Sequence, residues 1–234
     1  MSAAPERIAL SSGDLPLKMI RRRQARRFVL RLDAEGAAAV LVLPRWASLK
    51  AALRFLDANR DWLERRIGDL PSRIAFADGA EITVLGQSYR LRHDAAARGR
   101  GAAWIEDGEI RVAGEVRHLA RRTRDFLREL ARRELTERAR HLAARVGRKV
   151  TGITVRDTKS RWGSCSAAGS LVFSWRLVLA PPEVMDYVVA HEVAHLVHMN
   201  HGKHFWRLVA ELNPDSEDAR SWLRRNRSRL LRIG

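Results

Sequence analysis

Cysteine is almost missing from this chain of 234 residues. Cys165 is the only one, so no disulfide can close within it, and that usage suits a reducing cytoplasm. Long apolar runs are missing as well. Stretches such as "GAAAVLVLP" (36–44) are far too short to span a bilayer, so no membrane partner is expected. The opening "MSAAPERIALSSGD" lacks a basic segment followed by an apolar one, so no secretory leader is read there. There are no internal repeats, no low-complexity blocks, no zinc-finger spacing and no recognised nucleic-acid motif.

Acidic residues are in deficit. Asp and Glu total 27 against 44 Lys and Arg, for a net charge of +17. Such a field attracts phosphates, so non-specific binding of nucleic acid through a basic surface is one expectation. An arginine- and alanine-rich coding bias produces the same balance with no partner involved. The rest is ordinary for a globular protein, with 46% hydrophobic and 30% charged residues. The length allows one well-cored domain or two small ones.

Residues 14–45 read as strands broken by "DAEG" and stopped at Pro44. Residues 48–67 read as a helix capped by Ser48, with Asn59 as a possible interruption. Short strands return over 72–114, where Asp107-Gly108 signals a hairpin and "DAAARGRGAA" reads as a loop. A long helix spans 115–146. Val116, Leu119, Thr123, Phe126, Leu127 and Leu130 share one face, with an arginine stripe opposite. That stripe reads as a solvated face laced with Glu129 and Glu134, since no aromatic platform interleaves with it. Gly147 ends the helix. Two or three strands follow over 152–175, then a helix entered through Pro181-Pro182, and two shorter helices. The fold class is therefore α+β. A β-rich N-terminal region (1–114) precedes a mostly helical domain with a small mixed sheet (115–234).

Five of the eight histidines fall within "VVAHEVAHLVHMNHGKHFW" (188–206). His191 and His195 are four residues apart, so on a helix both imidazoles converge on one ion. Glu192 is offset by about 100°, placing its carboxylate beside the metal without ligating it. There it can take a proton from a water and pass it to a leaving group. The helix is otherwise apolar nearly all round, and a buried helix does not carry His and Glu without a use. Zinc needs a third protein ligand and an open position. His198 lies about 4.5 Å further along the axis than His195, so a straight helix does not wrap it round the ion. His201 is better placed if Asn200 turns left-handed and ends the helix. Glu211 is the next candidate, and His204 and Glu217 are also in range. The spacing to His201 matches a metzincin, but no methionine follows residue 199, so the downstream Met-turn is excluded.

"SRWGSCS" together with "VFSWRLVLAPPEVMDYVVAHEVAHLVHMNHGKHFW" resembles the YgjP-like family of bacterial zinc metallopeptidases, related to SprT-like proteins. "RDWLERRI" and the arginine-rich helix before "TVRDTKSRWGSC" follow the same order. The likeness covers most of the chain and is most specific between 153 and 206. It implies one Zn2+ per chain, a peptide or protein substrate, and His201 as third ligand through "NHGKHFW". It also implies that His198 and His204 are variable neighbours.

The resemblance places "TKSRWGSCS" on a strand beside the catalytic helix, where a strand edge can hold an extended peptide by main-chain hydrogen bonds. Gly163 would allow close backbone approach. Trp162 reads as a pocket wall or a buried side chain. Arg161 reads as an anion-binding group or a partner of a carboxylate such as Asp157. Cys165 reads as a small apolar residue rather than a fourth ligand, and Tyr187 as a core tyrosine rather than an oxyanion donor. Three functions compete: a zinc peptidase with Glu192 as base, a zinc-dependent hydrolase of nucleotide phosphoanhydrides, and a nucleic-acid-associated protein. The last two can draw on the basic surface, and SprT-like relatives act near DNA.

Overall fold

The computed structural model describes residues 6–11, 13–97 and 101–234. Residues 98–100 of the expected loop lie outside the described residues. The chain divides into two compact units, Met1–Ser72 and Arg73–Gly234.

The first unit holds strands β1 (Arg7–Leu10), β2 (Gly13–Arg22), β3 (Val29–Leu32) and β4 (Ala39–Pro44), in the order β1-β2-β4-β3. The outer pairs are antiparallel and β2 runs parallel to β4. β1 was not expected from the sequence, since four residues carry too little pattern to stand out. Helices α1 (Leu49–Ala58) and α2 (Arg60–Gly68) follow. Ser48 caps α1 by accepting from Ala51 N–H at 3.1 Å. Asn59 breaks the helical run as expected: its side-chain amide donates to the Phe55 carbonyl at 2.7 Å, and its backbone leaves the helical region. Leu41, Leu43, Ala52, Leu56 and Leu63 form the core of this unit.

The second unit opens with β5 (Glu81–Val84), β6 (Gln87–Asp94), β7 (Ala103–Glu106) and β8 (Glu109–Ala113), ordered β5-β6-β8-β7. Asp107 and Gly108 both take positive φ, 50° and 75°, in the expected two-residue hairpin turn. Helix α3 (Leu119–Arg145) buries Thr123, Leu127, Leu130, Leu135 and Ala139 on one face. Val116 is not on that face. It lies in a 3₁₀ turn before the helix and is 64% exposed. On the opposite, exposed face Arg121 pairs with Asp125 and Arg132 with Glu129, while the half-buried Arg138, on the packed side, pairs with both Glu134 and Asp186.

β9 (Gly152–Arg156), β10 (Gly163–Cys165) and β11 (Ser170–Ser174) form a three-stranded mixed sheet with β10 at one edge. A buried 3₁₀ segment, Trp175–Leu179, leads to α4 (Pro182–Ala194), then α5 (Lys203–Leu212) and α6 (Ser216–Leu231). Both sheets and α3 to α6 share one hydrophobic core. That is why the compact boundary falls at Ser72/Arg73, whereas the sequence suggested residue 114: the second sheet packs with the helices that follow it. The architecture is α+β. Among the described residues no helix is long and apolar enough to cross a membrane.

Candidate functional site

α4 starts on Pro182, whose missing N–H costs nothing in the first turn, with Glu183 favourable at the positive end of the helix dipole. Val184, Met185, Val188, Val189 and Val193 are all buried, so the helix is gripped from several sides and its polar residues have fixed directions. Regular helix ends at Ala194, but His195 keeps helical angles (φ −66°, ψ −21°), so the four-residue spacing from His191 survives. The chain then tightens, with Val197 N–H and His198 N–H both donating to Ala194. A second turn, Gly202 N–H to Asn200 carbonyl at 2.8 Å, carries His201 back. The expected left-handed Asn200 is not used: the only non-glycine residues at positive φ among those described are Leu85 and Asp107. Two successive hydrogen-bonded turns reverse the chain without it.

The three imidazoles meet. Ring centroids lie 5.1 Å (191–195), 5.1 Å (191–201) and 4.7 Å (195–201) apart. Their ligand nitrogens all fall within 4.8 Å of one another. His201 Nε2 faces His191 Nε2 at 3.2 Å. Two ring nitrogens at that distance share either a proton or a cation. His195 Nδ1 lies 3.1 Å from the His198 carbonyl, which can only accept, so this nitrogen carries the hydrogen and Nε2 keeps its lone pair. Burial, with the charges of His195, His201 and Arg220 behind it, pushes His191 down to about 4 and keeps the ring neutral. Burial also lowers His195. His191 Nδ1 is buried without a partner among the described residues. Three convergent imidazoles are the donor set of a zinc-type ion, so the residues fit one. Phe205, fully buried, backs all three rings at 4.9, 4.6 and 4.6 Å.

Glu192 is 5% exposed, and burial pushes its carboxyl up to about 7 against the lowering charge of Arg161. It lies against β10. A Cβ on Gly163 would sit 2.6 Å from both Glu192 Cγ and Oε1, so only glycine leaves the carboxyl its place. The close approach expected at Gly163 is thus made by Glu192 itself. Arg161, Trp162, Gly163, Tyr187, His191 and Glu192 line a cavity of about 220 Å³. A larger cavity of about 350 Å³, beside Glu81, Trp222 and Arg229, lies away from the histidines.

The other candidates disperse. His198 and His204 face each other at 6.0 Å, apart from the cluster. Glu211 is exposed and pairs with Arg207 at 3.6 Å, and Glu217 is exposed on α6, so neither joins the histidines. Asp157 does not hold Arg161. It accepts from buried Arg176 at 3.0 Å, and Arg176 also donates to the Leu230 and Ile233 carbonyls. Cys165 is half-buried and outside the cluster, and burial followed by the charge of Glu192 pushes its thiol up to about 11. Tyr187 is buried edge-on to His191 at 6.1 Å, and burial raises its phenol.

Sequence reasoning missed two cations: Arg220, 5.3 Å over the Trp206 ring, and Arg227, 5.9 Å over the Trp162 ring. Both come from α6, which lies next to α4 only in three dimensions; an arginine-rich helix offers no signal as to which guanidinium faces a site.

Three convergent imidazoles, two carried by α4 and its C-cap and the third by the loop that follows, beside a buried carboxyl on α4, form a group that could hold a metal ion. A family profile described as YgjP-like, metallopeptidase domain, matches residues 26–226, and the chain belongs to that family. Among solved structures, the metallopeptidase zymogen of Pyrococcus abyssi abylysin is similar at 24% identity, covering 42% of this chain and 97% of that one, with a TM-score of 0.36. A comparison with curated proteins found no match.

Proposed function

We propose that this protein is a zinc-dependent peptidase in which His191, His195 and His201 hold the ion and Glu192 is the general base. The observation that carries the reading is the convergence of the three imidazoles beside one buried carboxyl that opens onto a cavity. Zinc held there supplies Lewis acidity, acidifying a water and polarising a carbonyl. Glu192 takes the proton from the attacking water and returns it to the leaving amine. Its burial disfavours the charged carboxylate, which helps the group to hold the proton between the two transfers.

The substrate chain is placed by β10. Trp162 accepts from Ser174 N–H and Ser166 donates to the Ser170 carbonyl, so by antiparallel alternation Gly163 and Cys165 turn their backbone groups away from β11. β10 is an edge strand, and those groups can pair with an extended peptide. Arg161 and Trp162 then contact the substrate's side chains.

One observation favours a second chemistry at the same site. Arg161 lines the cavity with His191 and Glu192, and Arg220 lies over the Trp206 ring that neighbours His191 and His201, as suits an anionic substrate such as a nucleotide phosphoanhydride. The deciding experiment measures zinc per chain together with hydrolysis of casein and release of pyrophosphate from nucleotides, for wild type, Glu192→Gln and His201→Ala. A peptidase shows one zinc and casein cleavage in wild type, zinc without cleavage in Glu192→Gln at a loss of about 10²–10⁴-fold, and no zinc in His201→Ala. Pyrophosphate release without casein cleavage selects the second chemistry. A wild type without zinc removes both.

A further inference from the structure

One end of the first sheet has a composition unlike the rest of the molecule. β2 and β3 lie on either side of β4. β2 ends with Arg22 opposite Pro44, and β3 begins with Val29 opposite Val42. Residues 23–28, which join them, must therefore cross the end of β4 from which Arg45 and Trp46 emerge. The site is anchored from within. The Arg21 guanidinium donates to the carbonyls of Arg45 at 3.2 Å and Ala47 at 2.7 Å, and Pro44 and Ala47 on either side are buried.

Arg22, Arg23, Arg26, Arg27 and Arg45 are exposed at this end, and among the described residues none of them forms an ion pair. The sequence explains why: it has no acidic residue between Asp14 and Asp33, and none between Glu35 and Asp57. Trp46 stands in their midst at 77% exposure, the highest of the exposed large hydrophobic side chains described. Tryptophan is usually buried over most of its surface. Here a fixed backbone presents one indole to solvent beside uncompensated guanidinium groups.

We propose that this end of the first unit binds single-stranded nucleic acid, with a base stacked on Trp46 and backbone phosphates held by Arg22, Arg23, Arg26, Arg27 and Arg45. A guanidinium fork matches phosphate oxygens in pairs. An indole takes any base, but only where the base is unpaired and offers its face. A duplex satisfies the arginines and leaves the indole unused. An anionic membrane also attracts arginine, but burial in a lipid interface needs a broad apolar face, and here a single ring is ringed by charge.

The test uses the full chain and fluorescence anisotropy of a labelled oligothymidylate of about 20 nucleotides, a length that spans more than one typical single-strand site. A duplex of equal length and phosphatidylserine vesicles are measured beside it. The single strand is expected to bind more tightly than the duplex. Trp46→Ala weakens single-strand binding roughly five- to hundredfold and leaves its salt dependence unchanged. The combined variant Arg22→Gln, Arg23→Gln, Arg26→Gln, Arg27→Gln weakens binding and makes the salt slope shallower by about 0.7 for each phosphate no longer neutralised. Arg224→Gln, Arg225→Gln, on the exposed face of α6, has a far smaller effect. All these side chains are exposed, so unfolding midpoints stay put and weaker anisotropy reports binding alone. The proposal is overturned if wild type does not bind the single strand at physiological salt, if Trp46→Ala changes nothing, or if the α6 variant loses as much affinity as the loop variant. Vesicle binding that depends on Trp46, without oligonucleotide binding, overturns it in favour of a membrane surface.

Discussion

The sheets β1-β2-β4-β3 and β5-β6-β8-β7 are connected alike: an antiparallel pair, a parallel step across the middle, and a second antiparallel pair. Their charges are handled in opposite ways. In the second sheet, Arg90 pairs with Glu81, Arg92 with Glu109, and Arg111 with Glu106 and Glu109. In the first, Arg7 meets Asp14 across β1 and β2, while the crossing arginines have no acid near them in sequence. The apolar faces differ too. The second sheet shares its core with α3 and α4 and so backs the histidine helix, whereas the first closes on α1 and α2. One strand order thus serves two purposes, depending on what its edges and faces are made to carry.

Core truncations test that division with the largest expected effect. Leu127→Ala in α3 and Leu63→Ala in α2 each remove a fully buried side chain and should each cost about 2–5 kcal/mol. Urea unfolding combined with transfer of zinc to a chromophoric chelator should show faster zinc loss for Leu127→Ala only. Equal loss in both would mean that the first unit also supports the site.

Two carboxyls set the next contrast. Ser11 N–H bonds Glu64 at 2.9 Å and holds its carboxyl below the usual range, whereas burial pushes Glu192 up to about 7 from 4.5. A raised carboxyl binds more protons folded than unfolded. The metal-stripped protein should therefore lose stability as pH rises from 4.5 to 7 and stay level above. The loss from this group is about 3 kcal/mol. Glu192→Gln removes it, so at pH 8 the stripped variant should unfold at a higher temperature than stripped wild type. An unchanged midpoint would show that the carboxyl is solvated.

Gly163→Ala should cut hydrolysis about 10²-fold with zinc retained, because the added methyl displaces the Glu192 carboxyl. A parallel loss of zinc would place the fault in folding instead. The smallest effect concerns the paired surface. Arg92→Gln should cost about 0–1 kcal/mol in urea unfolding, and Arg26→Gln should cost nothing or gain slightly by relieving repulsion. A clear loss on Arg26→Gln would reveal a hidden partner.

Much of the second unit was legible along the chain. The Asp107-Gly108 hairpin, the stop at Gly147 and the Pro182 entry all rest on backbone chemistry of one or two residues, as does the interruption at Asn59 in the first unit. His191 and His195 were readable as a pair because four residues make about one helical turn. The route to His201 was misread: the residue arrives through two ordinary turns, since a loop's path depends on hydrogen bonds to the preceding turn that spacing does not encode. The boundary read near 114 follows a change of composition from strands to helices, whereas the division into compact units at Ser72/Arg73 follows shared core, which composition does not display.

By itself, the sequence determined which residues are able to ligate, which segments coil or pair, and that Arg outnumbers its acids, since these follow from side-chain chemistry and local periodicity. Tertiary structure alone decided that Glu192 is buried against Gly163, that Asp157 serves Arg176 and leaves Arg161 to the cavity, and that Trp46 stands among the crossing arginines. Each of these depends on residues distant along the chain being brought together, and the pattern of one segment does not contain the position of another.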